Sequence, residues 1–164
     1  MTLVQSDYTS VVQRADALGV PTPTGLAILP DNFDDATSPA DFHFASAGAT
    51  VRTLFRNERI PCTLVIPDGQ RPRYVSLKSI DWIGPILFIS ASLASDNGAA
   101  VSIALGVISN YLTDFFKGMG HAPKVKLSFV VETTQSGTYK KLVYEGDVAG
   151  LAALTPAIRA VSDE

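Results

Sequence analysis

The longest uncharged stretch of the chain limits its fold more than any other feature. Between Asp96 and Asp114 no residue carries a charge, over a run of 17 residues. A membrane-spanning helix needs about 20 predominantly apolar residues, whereas this run contains serine, asparagine and threonine and is otherwise weighted to alanine and glycine. No cluster of basic residues flanks it. We therefore predict a helix buried in a soluble domain rather than a membrane span.

Length and charge exclude several classes of protein. The chain has 164 residues, which is enough for one hydrophobic core. Its net charge of −3 gives no overall field that would attract nucleic acid or an anionic membrane. The single cysteine, Cys62, excludes an internal disulfide, and the N-terminal residues lack the pattern of a signal peptide. We predict a cytoplasmic protein that binds neither nucleic acid nor membrane.

Apolar periodicity in the N-terminal half predicts alternating helices and strands. A helix over residues 7–18, capped by Asp7, is predicted as a loosely attached first element. The apolar segment 25–30 predicts a short strand, residues 47–59 a second helix, and residues 62–66 another strand. Because strand, helix and strand follow one another, the two strands should lie parallel through a right-handed crossover.

The C-terminal half predicts a hairpin and further helices. A half-exposed strand is predicted over 73–79, followed by a turn over 80–85 and a buried strand or helix lead-in over 86–91. The long helix should run from its cap Asp96 to about Gly118. Residues 124–132 and 138–145 should then form a hairpin. A turn of helix capped by Asp147 should follow, with a restart at Thr155 because Pro156 fits only the first turn. The fold class is a single α+β domain over residues 1–164, with a mixed sheet, a C-terminal antiparallel hairpin and a buried helix rich in small residues.

Common catalytic motifs are missing from the chain. It has no phosphate loop, no GxGxxG, no GxSxG elbow and no HExxH helix, and one cysteine cannot build a thiolate zinc site. Cys62 could pair with His43 or His121 as a thiolate and imidazole. It opens an apolar segment, however, which favours a buried and unreactive thiol. We therefore predict no cofactor and no resident metal. A protein that is not an enzyme is the favoured interpretation.

One acidic loop offers an alternative site. Its candidate residues are Asp31, Asp34, Asp35, Asp41 and His43. Clustered carboxylates suit a hard cation, and a nearby histidine could act as a ligand or a base. The spacing lacks the central glycine and the closing glutamate of a calcium loop. A solvated loop with local side-chain caps is the simpler interpretation.

Two basic features stand out in this acidic chain. Arg52, Arg56 and Arg59 have helical spacing, and four lysines decorate the predicted hairpin at positions 124, 126, 140 and 141. Converging guanidinium groups could hold a phosphate, a nucleotide or an acidic partner. The alternative is that these side chains form the solvated faces of a helix and a hairpin. The absence of a basic excess favours that alternative.

A row of small or polar residues runs along the long helix. Gly98, Ser102, Gly106 and Asn110 recur every four residues. Such rows let a second backbone approach closely. The partner could be the domain's own sheet or the same helix of a second copy. Because an apolar helix is usually buried, we expect packing within the chain.

The C-terminal part resembles one group of proteins. An apolar small-residue helix, the segment KVKLSFVVETTQSGTYKKLVYEGDVAGLAAL and a final helix are similar in layout to small effector-associated components of bacterial conflict systems, over roughly the last 70 residues. The resemblance implies a bacterial, non-enzymatic adaptor that is recognised by protein partners.

Two functional hypotheses follow from the sequence. The first is a non-enzymatic, self-associating interaction module that binds a protein partner or a second copy of itself. The second is a small enzyme or ligand-binding domain that uses the acidic loop, with the flank of Arg52, Arg56 and Arg59 holding an anion.

Overall fold

The structure, a computed structural model, describes residues 1–121 and 123–164. Its strands are β1 (Thr2–Tyr8), β2 (Leu26–Leu29), β3 (Phe44–Ala45), β4 (Thr63–Leu64), β5 (Tyr74–Val75), β6 (Trp82–Ile89), β7 (Val125–Glu132) and β8 (Tyr139–Gly146). Its helices are α1 (Val11–Leu18), α2 (Ala47–Asn57), α3 (Ala91–Asp96), α4 (Gly98–Phe115), α5 (Val148–Leu151) and α6 (Thr155–Ser162), with a short 3-10 helix at Pro39–Asp41. These elements form one α+β domain, as the sequence predicts.

The main sheet is mixed and has the strand order β1-β8-β7-β6-β2-β4. β6 lies parallel to β7 and β2 lies parallel to β4, while the other neighbours are antiparallel. The predicted parallel pairing is confirmed, because Ala27 and Ile28 of β2 pair with Thr63 and Leu64 of β4. The predicted hairpin is confirmed by the antiparallel pair β7–β8. β3 and β5 form a separate parallel pair.

The first element differs from the prediction. Residues 2–8 form the edge strand β1 along β8, and Asp7 is paired with Lys140 rather than capping a helix. Helix α1 begins only at Val11, because the side chain of Ser10 accepts a hydrogen bond from the backbone N–H of Gln13. The predicted boundary at residue 7 is therefore wrong.

Helix α1 is firmly packed rather than loosely attached. Val11 and Ala15 are completely buried. The guanidinium of Arg14 donates to the carbonyl of Phe33 at 2.9 and 3.0 Å and to that of Ala36 at 2.6 Å. These contacts tie the helix to the loop that follows β2.

Strand β6 starts where a turn was predicted. The segment 80–85 contains Gly84 and Pro85, which favour turns, but Trp82 already pairs with Val125 of β7. The register of the two strands shifts between Ile83 and Ile86. An irregularity of this kind accommodates a proline, which cannot donate to the strand ladder.

The predicted long helix is α4, which runs from Gly98 to Phe115, but its N-terminal boundary differs from the prediction. Asp96 is the last residue of α3, and Asn97 interrupts the helix before α4, so Asp96 is not the predicted cap. By length and composition alone, α4 is apolar enough to cross a membrane. It is buried on one side only: Ile103, on the outer side, is 58% exposed. Its inner side belongs to the core through Val101, Ala104, Leu105, Ile108 and Leu112.

The C-terminal helices follow the predicted pattern. The carboxylate of Asp147 accepts a hydrogen bond from the backbone N–H of Gly150 at 2.9 Å and caps α5. Helix α6 restarts at Thr155 with a proline in its first turn. Thr155 does not cap it, because its hydroxyl instead accepts a hydrogen bond from Ser102 of α4 at 3.0 Å.

Candidate functional site

The three predicted arginines meet at one cavity beside the end of α2. This cavity, of about 350 Å³, is open to solvent and is lined by Ile60, Pro61, Cys62 and the exposed side chains of Arg52, Arg56 and Arg59. Val51 and Phe55 of α2 are completely buried. Side chains one position further along therefore face outward on the same flank, which places Arg52 and Arg56 together. We call Arg52, Arg56 and Arg59 the arginine cluster.

Arg59 reaches this cavity through an unusual backbone conformation. Its φ is 57°, and among the described residues it is the only non-glycine with a positive φ. The N–H of Arg59 donates to the carbonyl of Arg56 at 3.1 Å, and that of Ile60 donates to Phe55 at 2.8 Å. This pair of bonds is a Schellman ending, in which glycine is preferred. Placing arginine there costs about 1–2 kcal/mol.

Among the described residues, no acidic side chain forms an ion pair with the arginine cluster. By contrast, Lys126 pairs with Glu145 at 3.5 Å and Lys140 pairs with Asp7. Two lysines of the hairpin are thus already partnered on its surface. Because guanidinium groups match carboxylates and phosphates in a bidentate manner, the arginine cluster is suited to an anion.

Cys62 lines the same cavity as a neutral thiol. Burial raises its pKa to about 11, and the nearby charge of Arg52 offsets only part of that rise. The thiolate is the nucleophilic form, so little of it exists near neutral pH. The charge acting on this thiol is that of Arg52 rather than of His43 or His121, which gives the thiolate–imidazole hypothesis no support.

A second, apolar cavity adjoins the first. It has a volume of about 390 Å³ and lies between α3–α4 and strands β2, β6 and β7. Ile60 and Pro61 line both cavities. On the helix side, the side chains of Ala100 and Ala104 are too short to fill the cavity. On the sheet side, Leu87, Ile89 and Phe129 form its floor. The small residues of α4 are the one hint of this cavity in the sequence.

The acidic loop is held together by its own hydrogen bonds. The side chain of Asn32 donates to the carbonyl of Asp41 at 2.8 Å and accepts from the N–H of His43 at 3.1 Å. Burial raises the pKa of Asp31. The other three aspartates of the loop are exposed, namely Asp34, Asp35 and Asp41. Within the part of the chain that the structure describes, no three acidic, histidine or cysteine side chains form a group able to hold a metal.

The small-residue row lies on the side of α4 that faces away from the sheet. A Cβ atom added at Gly98 or Gly106 would meet nothing within 4 Å, and Ser102 and Asn110 are exposed. The row does not pack on the domain's own sheet, but within the chain the hydroxyl of Ser102 donates a hydrogen bond to that of Thr155 of α6 at 3.0 Å. The sheet is contacted by the opposite side of the helix, including Ala104 and Leu105.

Comparison of the chain with models of protein families, with curated proteins and with solved structures finds no match. No relative therefore supplies a site residue, and the resemblance of the C-terminal segment to conflict-system components stays a prediction.

Proposed function

We propose that the protein is a non-enzymatic binding module that holds an anionic ligand at the arginine cluster. The observation that carries this proposal is that three exposed arginines line one surface cavity and that, among the described residues, none of them forms an ion pair. Each group can donate two parallel hydrogen bonds to a carboxylate or a phosphate. A cytoplasmic location and a role as an adaptor are compatible with this activity and remain predictions.

The chemistry of the cavity favours binding over reaction. Arginine stays protonated in proteins and cannot act as a general base. The raised pKa of Cys62 keeps its thiol protonated, so the cavity lacks a strong nucleophile. The remaining lining residues, Ile60 and Pro61, are apolar. These groups can attract and orient an anion.

Replacing Arg52, Arg56 and Arg59 together by glutamine should weaken binding of inorganic phosphate by tenfold or more. Hydrogen bonds to charged groups contribute about 1.5–3 kcal/mol each, and a loss of about 1.4 kcal/mol is a tenfold change in affinity. Calorimetric titration of the full chain measures this change. Arg159→Gln is the matched control, because Arg159 is an exposed arginine on α6 that does not line the cavity. Equal losses in the control and the triple variant would contradict the proposal.

Cys62 provides a local readout for the same experiment. Arg52 lowers the pKa of this thiol, so an anion that neutralises Arg52 should raise the pKa further. Phosphate should therefore slow the alkylation of Cys62 by iodoacetamide at a fixed alkaline pH. In Arg52→Gln the same addition should leave the rate unchanged. An equal effect of phosphate on both proteins would place the anion elsewhere.

Self-association through the outer side of α4 is a second candidate function. Ile103 is a large apolar side chain that is 58% exposed, and Gly106, one turn further along, has open space in front of it. An exposed apolar side chain beside a small residue permits close approach of a second helix. Self-association of this kind agrees with the hypothesis, drawn from the sequence, that the protein is an interaction module.

Gly106→Leu tests self-association without disturbing the monomer. Because a Cβ at this position meets nothing within 4 Å, the fold should tolerate the change. Native mass spectrometry should then show loss of an oligomer that the wild-type protein forms, with Ala160→Leu on α6 as an exposed control. A wild-type monomer, or an oligomer that survives Gly106→Leu, would contradict this candidate.

A further inference from the structure

We infer that the ligand is an amphipathic anion, with its charged head at the arginine cluster and an aliphatic chain in the adjacent apolar cavity. This inference rests on the proposed function and adds the chemical class of the ligand. It is motivated by the shared boundary of the two cavities, where Ile60 and Pro61 contribute to both linings.

The apolar cavity has the chemistry of a hydrocarbon site. Its floor and walls include Leu26, Leu87, Ile89, Val101, Leu105 and Phe129, all buried. The polar side chains of its lining are those of Thr24, Thr63 and Asn97. Water needs two to four polar partners to remain in a cavity, so an aliphatic chain suits this lining better than water does. The volume of about 390 Å³ lies within the range of about 300–1,000 Å³ found for small-molecule sites.

Charge complementarity decides the head group. An uncharged apolar ligand would use the apolar cavity but would leave the arginine cluster without an anionic partner. A small inorganic anion would bind the arginine cluster but would leave the apolar cavity unfilled. A carboxylate or phosphate on an aliphatic chain satisfies both cavities at once, because the arginine cluster lines one cavity, apolar side chains line the other, and Ile60 and Pro61 line both.

The Schellman ending of α2 fixes this arrangement. Ile60 follows Arg59 directly, and its N–H is held by the carbonyl of Phe55 at 2.8 Å. The left-handed conformation at Arg59 turns the chain out of the helix. As a result, consecutive residues supply a cation to one cavity and an apolar side chain to both.

A chain-length series on the wild-type protein tests the inference. Calorimetric titrations use acetate, butyrate, octanoate, octyl phosphate and octanol. The dissociation constant should fall about fourfold for each added methylene group until the chain fills the cavity. Octanoate and octyl phosphate distinguish the two possible head groups, and octanol should bind more weakly than either. Octanoate that binds no more tightly than butyrate would overturn the inference.

A cavity-filling variant locates the chain. Ala104→Phe should reduce the affinity for octanoate to that for butyrate and should leave phosphate binding unchanged. Ala99→Phe is the matched control, since Ala99 is exposed on α4 outside the cavity. Thermal melts verify that each variant folds. If Ala104→Phe does not fold, Ala100→Leu replaces it, because Ala100 lines the same cavity and is partly exposed. An unchanged octanoate affinity in the folded variant contradicts the inference.

The two proposals can fail separately. Phosphate binding that depends on the arginine cluster, without any gain from chain length, leaves the proposed function intact and rejects the amphipathic ligand. Chain-dependent binding that survives the triple arginine replacement, with octanol bound as tightly as octanoate, rejects the anion site itself.

Discussion

Gly150→Ala is expected to destabilise the domain by about 2–3 kcal/mol, through overpacking against a buried tyrosine. A Cβ atom at this position would collide with the hydroxyl oxygen of Tyr144 and would lie 2.9 Å from its Cζ atom. Tyr144 cannot move away easily, because it is completely buried and its hydroxyl donates to the carbonyl of Asp147 at 2.7 Å. The substitution therefore displaces an aromatic side chain and breaks a hydrogen bond.

Urea unfolding and a double-mutant cycle measure this effect. Tyr144→Phe removes the oxygen that the added Cβ would strike, so Gly150→Ala should cost less in that background. Gly106→Ala is the matched control: it lies in helix α4 with nothing within 4 Å of the added Cβ. There the same change should stabilise the protein by about 0.5–1 kcal/mol. Equal stabilities of Gly150→Ala and Gly106→Ala would contradict this account of the packing.

Phe129→Ala should have a larger effect, a loss of about 3–5 kcal/mol in the free energy of unfolding. Phe129 is 1% exposed and lies in the middle of β7, between Leu87 of β6 and Leu142 of β8. It also lines the apolar cavity. Truncation would enlarge a space that already exists, and neighbours on two paired strands cannot close in to fill it.

The control for this prediction is Phe115→Ala. Phe115 is 49% exposed at the end of α4 and stacks on Tyr111, with ring centroids 5.7 Å apart. Losing that stack should cost about 0.5–1.5 kcal/mol. Urea unfolding of both variants should therefore rank Phe129→Ala well above Phe115→Ala. The opposite ranking would show that β7 is not the centre of the core.

The elements predicted correctly from the sequence are those with local signals. Alternation of apolar and polar residues indicated the β7–β8 hairpin. Helix α1 ends at Leu18 as predicted, and Gly19, with a φ of 69°, is its C-cap. The strand–helix–strand order indicated the parallel pair β2–β4.

The elements that were missed depend on distant partners. Strand β1 has exposed side chains along almost its whole length, so no buried face marks it in the sequence. It forms because it pairs with β8, which lies near the C-terminal end of the sequence. Gly84 and Pro85 are residue types that favour a turn. They form an irregular part of β6 because this strand pairs with β7.

The candidate site was predicted in part. Helical spacing was enough to place Arg52 and Arg56 on one flank. The apolar cavity could not be predicted, because it depends on how α4 packs over the sheet. Nor does the sequence reveal that Arg59 takes a conformation that favours glycine. The exposed side of α4 was also missed, since no charged residue marks it between Asp96 and Asp114.

The most direct test of the account is a set of intermolecular nuclear Overhauser effects between octanoate and the isotope-labelled protein. We expect contacts from the terminal methyl group of octanoate to the ring of Phe129 and the methyl groups of Leu105, with the carboxylate end near Arg56 and Arg59. Contacts to Ile103 on the outer side of α4, or no contacts at all, would contradict it.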